Sequence, residues 1–215
     1  MEQYKRDFID FMTESGVLTF GDFVTKSGRR TPYFINTGNY RTGSQISRLG
    51  HYYARTIKET IGENFDILFG PAYKGIPLAA AAAASLYTDY SIDRGYCFNR
   101  KEAKDHGEGG LLVGAKPSAG SRIVIIEDVM TAGTSVRETL PILKASAEGV
   151  AVRDAVISVD RMERGTQGKT AVREIKEEFG IDVHPIVTVH DIIEHMRDKI
   201  DVAPIEAYLD MYCEK

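Results

Sequence analysis

Between Ile123 and Ser135 the chain reads IVIIEDVMTAGTS: an apolar, β-branched run, two adjacent carboxylates, and a loop of small, hydroxyl-bearing residues. Glu127 and Asp128 are acceptors able to take hydrogen bonds from the vicinal hydroxyls of a ribose. After Val129 and Met130, the residues Thr131, Ala132, Gly133, Thr134 and Ser135 are small enough for backbone N–H groups to close around an anion, and three of them add hydroxyl donors. From Val136 the pattern turns helical through Leu140 and Leu143, so the loop would open a helix whose N-terminus favours a phosphate. A TAGTS loop alone is as often a plain capped helix start; the acid pair in front of it points to a ribose phosphate.

Three other segments carry chemistry. Phe69 to Pro77, FGPAYKGIP, takes a strand into a Gly- and Pro-containing loop with Tyr73 and Lys74 and then into a helix. Such a loop can offer backbone donors and a lysine to a pyrophosphate, and equally can be a βα turn with a solvent-facing lysine. Asn99 to Gly110, NRKEAKDHGEGG, gathers Arg100, Lys101, Lys104 and His106 ahead of three glycines. That composition suits a cationic lid over a reactive anion, while Glu102, Asp105 and Glu108 also suit a merely solvated loop. Ser158 to Gly165, SVDRMERG, puts Arg161 at the end of a β-branched strand, where a planar guanidinium can meet a planar carboxylate; on its own such an arginine is more often a surface ion-pairing residue.

The elements that must position these residues follow from periodicity. Tyr4, Phe8, Phe11 and Met12 share one helical face near the N-terminus. Two β-rich pieces, about 20–25 and 31–35, flank a polar turn from Lys26 to Arg30 and predict a hairpin, a small accessory hood. Beyond it helices alternate with strands: a helix over about 45–61, a strand over 67–69, the alanine-rich run Ile76 to Leu86, a strand over 96–99, the signature strand 123–126, a helix to Ala147, a strand over 152–159, a helix over about 170–179, a strand over 183–189 and two final helices. The alternation predicts an α/β fold: a doubly wound, mainly parallel sheet flanked by helices, with ligands at its carboxyl edge.

Composition agrees with one enzyme domain over 1–215, with 43% hydrophobic and 27% charged residues. A net charge of −4 argues against general nucleic-acid binding, so an anionic substrate must be held by local cation clusters. Cys97 and Cys213 have no metal-ligand spacing and no secretion signal precedes them, which sets reduced thiols in a cytoplasmic protein as the expectation. The alanine-rich run is about half the length needed to cross a bilayer and reads as a buried helix, so no membrane association is expected. Gly168, Lys169 and Thr170 end like a P-loop, but Glu163 stands where its first glycine belongs, so a helix start is expected there. His190 and His195 are five apart on a helix, rotated by about 140°, and do not readily share a metal.

The Ile123–Ser135 segment strongly resembles the phosphoribosyl pyrophosphate signature of the type I phosphoribosyltransferases, and FGPAYKGIP resembles the same family's pyrophosphate loop. The 99–110 segment resembles the catalytic loop of orotate phosphoribosyltransferases, with Arg100, Lys101, Lys104 and His106 at the family's charged positions. DRMERG resembles the orotate-binding strand end, and KSGRRTPYFIN resembles the substrate hood, which spans about 1–40. The resemblance implies orotate contacts from Lys26, Phe34, Ile35, Thr131 and Arg161, with Ile35 standing where bacterial members often carry a second phenylalanine. It implies Mg²⁺ carried mainly by the substrate's pyrophosphate and ribose rather than by protein ligands, and a homodimer in which the mobile loop reaches the neighbouring subunit's site. The implied catalytic set is Lys104, Asp128, Glu127, Arg100 and His106, and the implied reaction joins orotate to phosphoribosyl pyrophosphate. Two rivals share the signature: a purine or uracil phosphoribosyltransferase, which would differ in the base pocket, and a non-catalytic sensor of phosphoribosyl pyrophosphate, which need not keep a cationic lid.

Overall fold

The computed structural model describes residues 1–25, 28–104, 110–165 and 167–214, with only the backbone described at 103 and 104. Helix α1 (Gln3–Glu14) leads into the hairpin β1 (Leu18–Val24) and β2 (Arg30–Ile35), an antiparallel two-stranded sheet. A short 3-10 turn, Thr37–Asn39, precedes α2 (Gly43–Thr60), whose start is fixed by a capping box of Thr42 and Gln45. Then follow β3 (Ile67–Gly70), α3 (Gly75–Tyr90), β4 (Gly95–Lys104), β5 (Gly110–Gly114), β6 (Arg122–Val129), α4 (Thr134–Ser146), β7 (Ala151–Asp160), α5 (Ala171–Phe179), β8 (Asp182–Thr188), α6 (Val189–Met196) and α7 (Ala203–Tyr212).

The large sheet has the order β5-β4-β3-β6-β7-β8, parallel except for β5, which pairs antiparallel with β4. From β3 the chain moves outward to β4 and later returns to the other side of β3 as β6. The winding therefore reverses between β3 and β6, and a crevice opens at their carboxyl ends, where such sheets take ligands. The pyrophosphate-like loop leaves β3 and the acid pair lies on β6, so both stand at this crevice.

β6 is buried on both faces, as its unbroken apolar run requires. Val124 and Ile126 pack with α1, α2, α3, α6 and α7, while Ile123 and Ile125 pack with α4 and α5. Each such side chain contributes about 1.5–3 kcal/mol by leaving water, which is ample to hold a sheet with helices on both sides. The alanine-rich helix buries Ala79, Ala82 and Leu86 in the first of these cores. Thr170 caps α5, its hydroxyl accepting from the Arg173 N–H, so the GKT sequence is a helix start as expected.

Two boundaries differ from the sequence expectation. β6 runs on through Glu127, Asp128 and Val129, so the acids lie on the strand and not beyond it. The segment expected as a loop from 99 is strand to Lys104, paired with β5 across an irregular register between Asn99 and Lys104. The pair forms an arm at the edge of the sheet, where polar side chains meet solvent and polarity does not exclude a strand.

Candidate active site

Because neighbouring residues on a strand point to opposite faces, Glu127 and Asp128 enter different surroundings. Glu127, 8% exposed, turns toward α4, where the Ser135 hydroxyl donates to its Oε2 and the Asp128 N–H donates to Oε1 at 3.3 Å. Asp128 turns toward α3, and its Oδ2 accepts from the Thr37 hydroxyl at 2.7 Å and from Lys74 Nζ at 2.8 Å. The backbone between them is held by the Tyr53 hydroxyl on the Glu127 carbonyl and the Ser158 hydroxyl on the Asp128 carbonyl, both at 2.6 Å.

These surroundings drive the two acids apart electrostatically. Burial pushes Glu127 up to about 7, only partly offset by Ser135. Burial also works against the charged form of Asp128, but the hydrogen bonds from Lys74 and Thr37 outweigh it and hold that carboxyl below the ordinary range. Asp128 is thus the permanent anion at neutral pH, and Glu127 sits near its midpoint.

The sign for stability follows. Glu127 has a folded pKa above its ordinary 4.5, so the fold favours its neutral form; that contribution is fully present below pH 4.5 and is lost as pH rises through about 7. Glu127→Gln is expected to gain roughly 2 kcal/mol on the wild type between pH 5 and pH 8. Thermal unfolding of both proteins across that window checks it, and parallel curves would refute the buried neutral acid.

After β6, Met130 is buried against the α4 core and Thr131 borders the cleft, while Thr131, Ala132 and Thr134 are exposed. Gly133 is the residue before α4, with φ +65, and a Cβ there would lie 2.8 Å from Ile175 Cδ1. Only glycine makes this turn without strain, and the turn leaves the first N–H groups of α4 facing outward for an anion. Ser135 was expected to give its hydroxyl to that anion; its hydroxyl is instead bonded to Glu127, so only its backbone N–H remains for such a role.

At the end of β3, the Asn99 side chain accepts the Ala72 N–H at 2.9 Å and fixes the loop that carries Tyr73 and Lys74. Tyr73 is 70% exposed, and Lys101 of β4 lies over its ring, 5.7 Å from the centroid. Arg100 donates to the Gly110 carbonyl at 3.5 Å across the arm. The expected site residues Lys26 and His106 and the Lys104 side chain lie outside the described residues.

On the other side of the cleft, Arg161 is no free surface arginine. Its side chain is 12% exposed; Nε and Nη2 donate to Glu163 Oε1 at 2.8 and 2.5 Å, and its guanidinium covers the Tyr33 ring at 4.6 Å. Glu163 also accepts from the Tyr208 hydroxyl at 2.8 Å and pairs with Arg29 at 3.6 Å, which ties β7, α7 and the hood together. Asp160 accepts the Met162 N–H at 2.7 Å and shapes the turn that carries Arg161. Phe34 is 39% exposed and rests near Phe23, whereas Ile35 is partly buried against the core.

One cleft of ≈ 640 Å³ is bordered by Phe34, Ile35, Thr37, Lys74, Asp128, Thr131 and Arg161. A groove of ≈ 690 Å³ between the hood and α7 is slightly larger but contains neither acid of the pair nor Arg161. Thr37, Tyr53, Ser158, Asn99, Asp160 and Glu163 were not singled out as site residues from sequence. Only Ser158, Asp160 and Glu163, inside SVDRMERG, and Asn99, opening the cationic segment, carried any signal; Thr37 and Tyr53 each act through one hydroxyl brought from elements remote in sequence.

The phosphoribosyl transferase domain family matches residues 36–193, which include both acids, the pyrophosphate-like loop and Arg161 but stop short of Phe34 and Ile35 in the hood. An orotate phosphoribosyltransferase of Clostridium acetobutylicum is 59% identical over 199 residues, covering 93% of this chain and 88% of its own. One of Thioalkalivibrio sulfidiphilus is 49% identical over 217 residues and covers 99% of both chains, hood included. The crystal structure of the orotate phosphoribosyltransferase of Francisella tularensis superposes with a TM-score of 0.86 at 37% identity over 96% of each chain. A ribose-type acid pair at a winding reversal, a small-residue turn opening α4 and these relatives converge: the chain belongs to the phosphoribosyl transferase family, among the orotate phosphoribosyltransferases.

Proposed function

We propose that this chain transfers the ribose 5-phosphate group of 5-phosphoribosyl 1-pyrophosphate to orotate, giving orotidine 5′-monophosphate and pyrophosphate in pyrimidine nucleotide synthesis. The observation that carries the reading is that one cleft brings together Asp128 and Thr131, the buried guanidinium of Arg161, and the hood residues Phe34 and Ile35. A pentose acceptor and a carboxylate receptor in one cavity suit a ribosyl donor and an acidic base.

The bond from ribose C1 to pyrophosphate breaks with its electron pair leaving on the pyrophosphate oxygen, while the electron pair of orotate bound as its N1 anion, its N1 proton already released to solvent, forms the new bond to C1. Negative charge grows on the leaving group and positive charge on the ring. Lys74, Arg100, Lys101, Lys104 and His106 supply cations for the first, with Tyr73 beside them; Glu127 and Asp128 hold the ribose hydroxyls, and their field favours the cationic ring. The turn from Val129 to Ser135 anchors the 5′-phosphate at the start of α4. Lys26, Phe34, Ile35, Thr131 and Arg161 hold the base.

Two adjacent carboxylates suit Mg²⁺, and no third carboxylate or histidine joins them in a metal-binding group among the described residues. That donor set fits an ion held through one or two carboxylates plus substrate oxygens, where it would neutralise pyrophosphate charge. The chain would work as one domain with a hood over 1–40 and a catalytic arm over 99–110. We place it in the cytoplasm as a homodimer that shares the arm between subunits; no helix among the described residues is long and apolar enough to cross a membrane.

Lys104→Ala is expected to lose turnover by about 10²-fold while KM changes little, the signature of a contact made in the transition state. Steady-state kinetics check it, and near-normal turnover removes Lys104 from the catalytic set. The function itself is tested by supplying phosphoribosyl pyrophosphate and Mg²⁺ with orotate, uracil, adenine, guanine or hypoxanthine in separate wells and following pyrophosphate release. Turnover with orotate alone is the expected result; turnover with another base overturns the role of Arg161, and binding without turnover makes the protein a sensor.

A further inference from the structure

We propose that Thr37 is a positioning residue for this reaction: its hydroxyl is the fixed post that keeps the Asp128 carboxylate oriented when Lys74 turns away to the pyrophosphate. The inference rests on the function proposed above and adds a residue to it.

The geometry is a closed triangle. Lys74 Nζ donates to Thr37 Oγ1 at 3.2 Å and to Asp128 Oδ2 at 2.8 Å, and the Thr37 hydroxyl donates its own hydrogen bond to the same Oδ2 at 2.7 Å. The two donors on Oδ2 differ in kind. Lys74 is 64% exposed on a flexible four-carbon stem, whereas the Asp128 side chain it meets is only 13% exposed.

Thr37 sits on a short side chain on a turn whose backbone is tied elsewhere. The Asn36 N–H bonds the Val17 carbonyl at 2.8 Å, the Asn36 side chain accepts the Gly38 N–H at 3.2 Å, and the Asn39 amide bonds the Gly16 carbonyl at 2.6 Å. The post is therefore anchored independently of Lys74. The groups facing Asp128 are Lys74 ahead of α3, the buried Tyr53 hydroxyl of α2, Glu127 on its own strand, and Ser158 of β7, whose hydroxyl is spent on the Asp128 carbonyl.

When Lys74 serves the pyrophosphate, Asp128 is left partly buried beside another acid, and Thr37 is the hydroxyl donor that stays on Oδ2, with the Val129 N–H as a backbone donor to the same carboxyl. A hydrogen bond to a charged group is strong enough to change ligand affinity by about tenfold. Losing it frees the Asp128 carboxylate to rotate, and a carboxylate out of place is a poorer acceptor for ribose hydroxyls.

Thr37→Val removes the hydroxyl at constant shape, and Thr37→Ser keeps it. We expect Thr37→Val to weaken phosphoribosyl pyrophosphate binding, read by calorimetry with Mg²⁺, about tenfold. The thermal midpoint should hold, and Thr37→Ser should restore most of the loss. In a Lys74→Met background the loss from Thr37→Val should persist, because the post acts when the lysine is absent. A Thr37→Ser variant as impaired as Thr37→Val, or disappearance of the effect in the Lys74→Met background, would overturn the proposal. A wild type that binds phosphoribosyl pyrophosphate without turning over orotate would overturn the proposed reaction instead, and the binding data would still judge Thr37.

Discussion

Gly70→Ala is expected to cost the protein both stability and its grip on phosphoribosyl pyrophosphate. A Cβ at Gly70 would stand 2.1 Å from the Gly75 oxygen, 2.5 Å from the Gly75 carbonyl carbon and 3.0 Å from Ala79 Cβ. The nearest contacts are backbone atoms, so no side chain can rotate away. Gly75 is equally confined, since a Cβ there would meet the Ile126 oxygen at 2.8 Å. The two glycines let the end of β3, the first turn of α3 and the strand that carries the acids touch through their backbones.

To admit one methyl group, the loop from 71 to 74 must move outward and take Lys74 with it. Overpacking of this kind costs about 3 kcal/mol, equivalent to roughly 10 °C in the thermal midpoint of a chain this size. Phosphoribosyl pyrophosphate affinity should fall by about tenfold or more as the displaced loop carries Lys74 out of reach of the pyrophosphate. Scanning calorimetry and a binding titration of the variant check both effects. A wild-type midpoint with wild-type affinity would mean that the close approach does not organise the site.

Arg161→Ala is expected to raise the KM for orotate by about a hundredfold and to leave the KM for phosphoribosyl pyrophosphate within a few-fold of wild type. Glu163 and the Tyr33 ring fix the guanidinium in place, and Glu163 takes Nε and Nη2. Nη1 has no hydrogen-bond partner in the protein among the described residues and borders the cleft with the rest of the side chain. Desolvated and pre-oriented, that donor is worth more to a carboxylate than the same group in water.

The variant should still fold, because Glu163 keeps Tyr208 and Arg29 as partners and is not stranded as a lone buried charge. Arg161→Lys should recover little, since an ammonium lacks the planar fork. Steady-state kinetics with orotate varied at saturating phosphoribosyl pyrophosphate decide it; an unchanged orotate KM would sink the carboxylate contact.

Much of this architecture was legible without coordinates because it is written in local patterns. The apolar run of β6, the alternation of strands and helices, the hairpin and the capped start of α5 each depend on neighbours within a few residues. The arm was misread for a related reason: from Arg100 to Lys104 the chain is as polar as a loop, and only its pairing with Gly110–Gly114 makes it a strand. The partner of the Ser135 hydroxyl is not legible in sequence, because a hydroxyl in a phosphate-like turn gives no local sign that a carboxylate eight residues earlier lies beneath it.

The sequence by itself determined the fold class, the placing of an acid pair and a small-residue turn at a strand's carboxyl end, and the family those motifs resemble, since each is a contiguous pattern. Only the tertiary structure decided how the pair divides its labour. Glu127 is buried beneath α4 and held near its midpoint, whereas Asp128 is kept anionic by Lys74 and by Thr37 from a turn 91 residues away. Strand geometry turns adjacent side chains to opposite faces, and what waits on each face is chosen by chain crossings that no local spacing records.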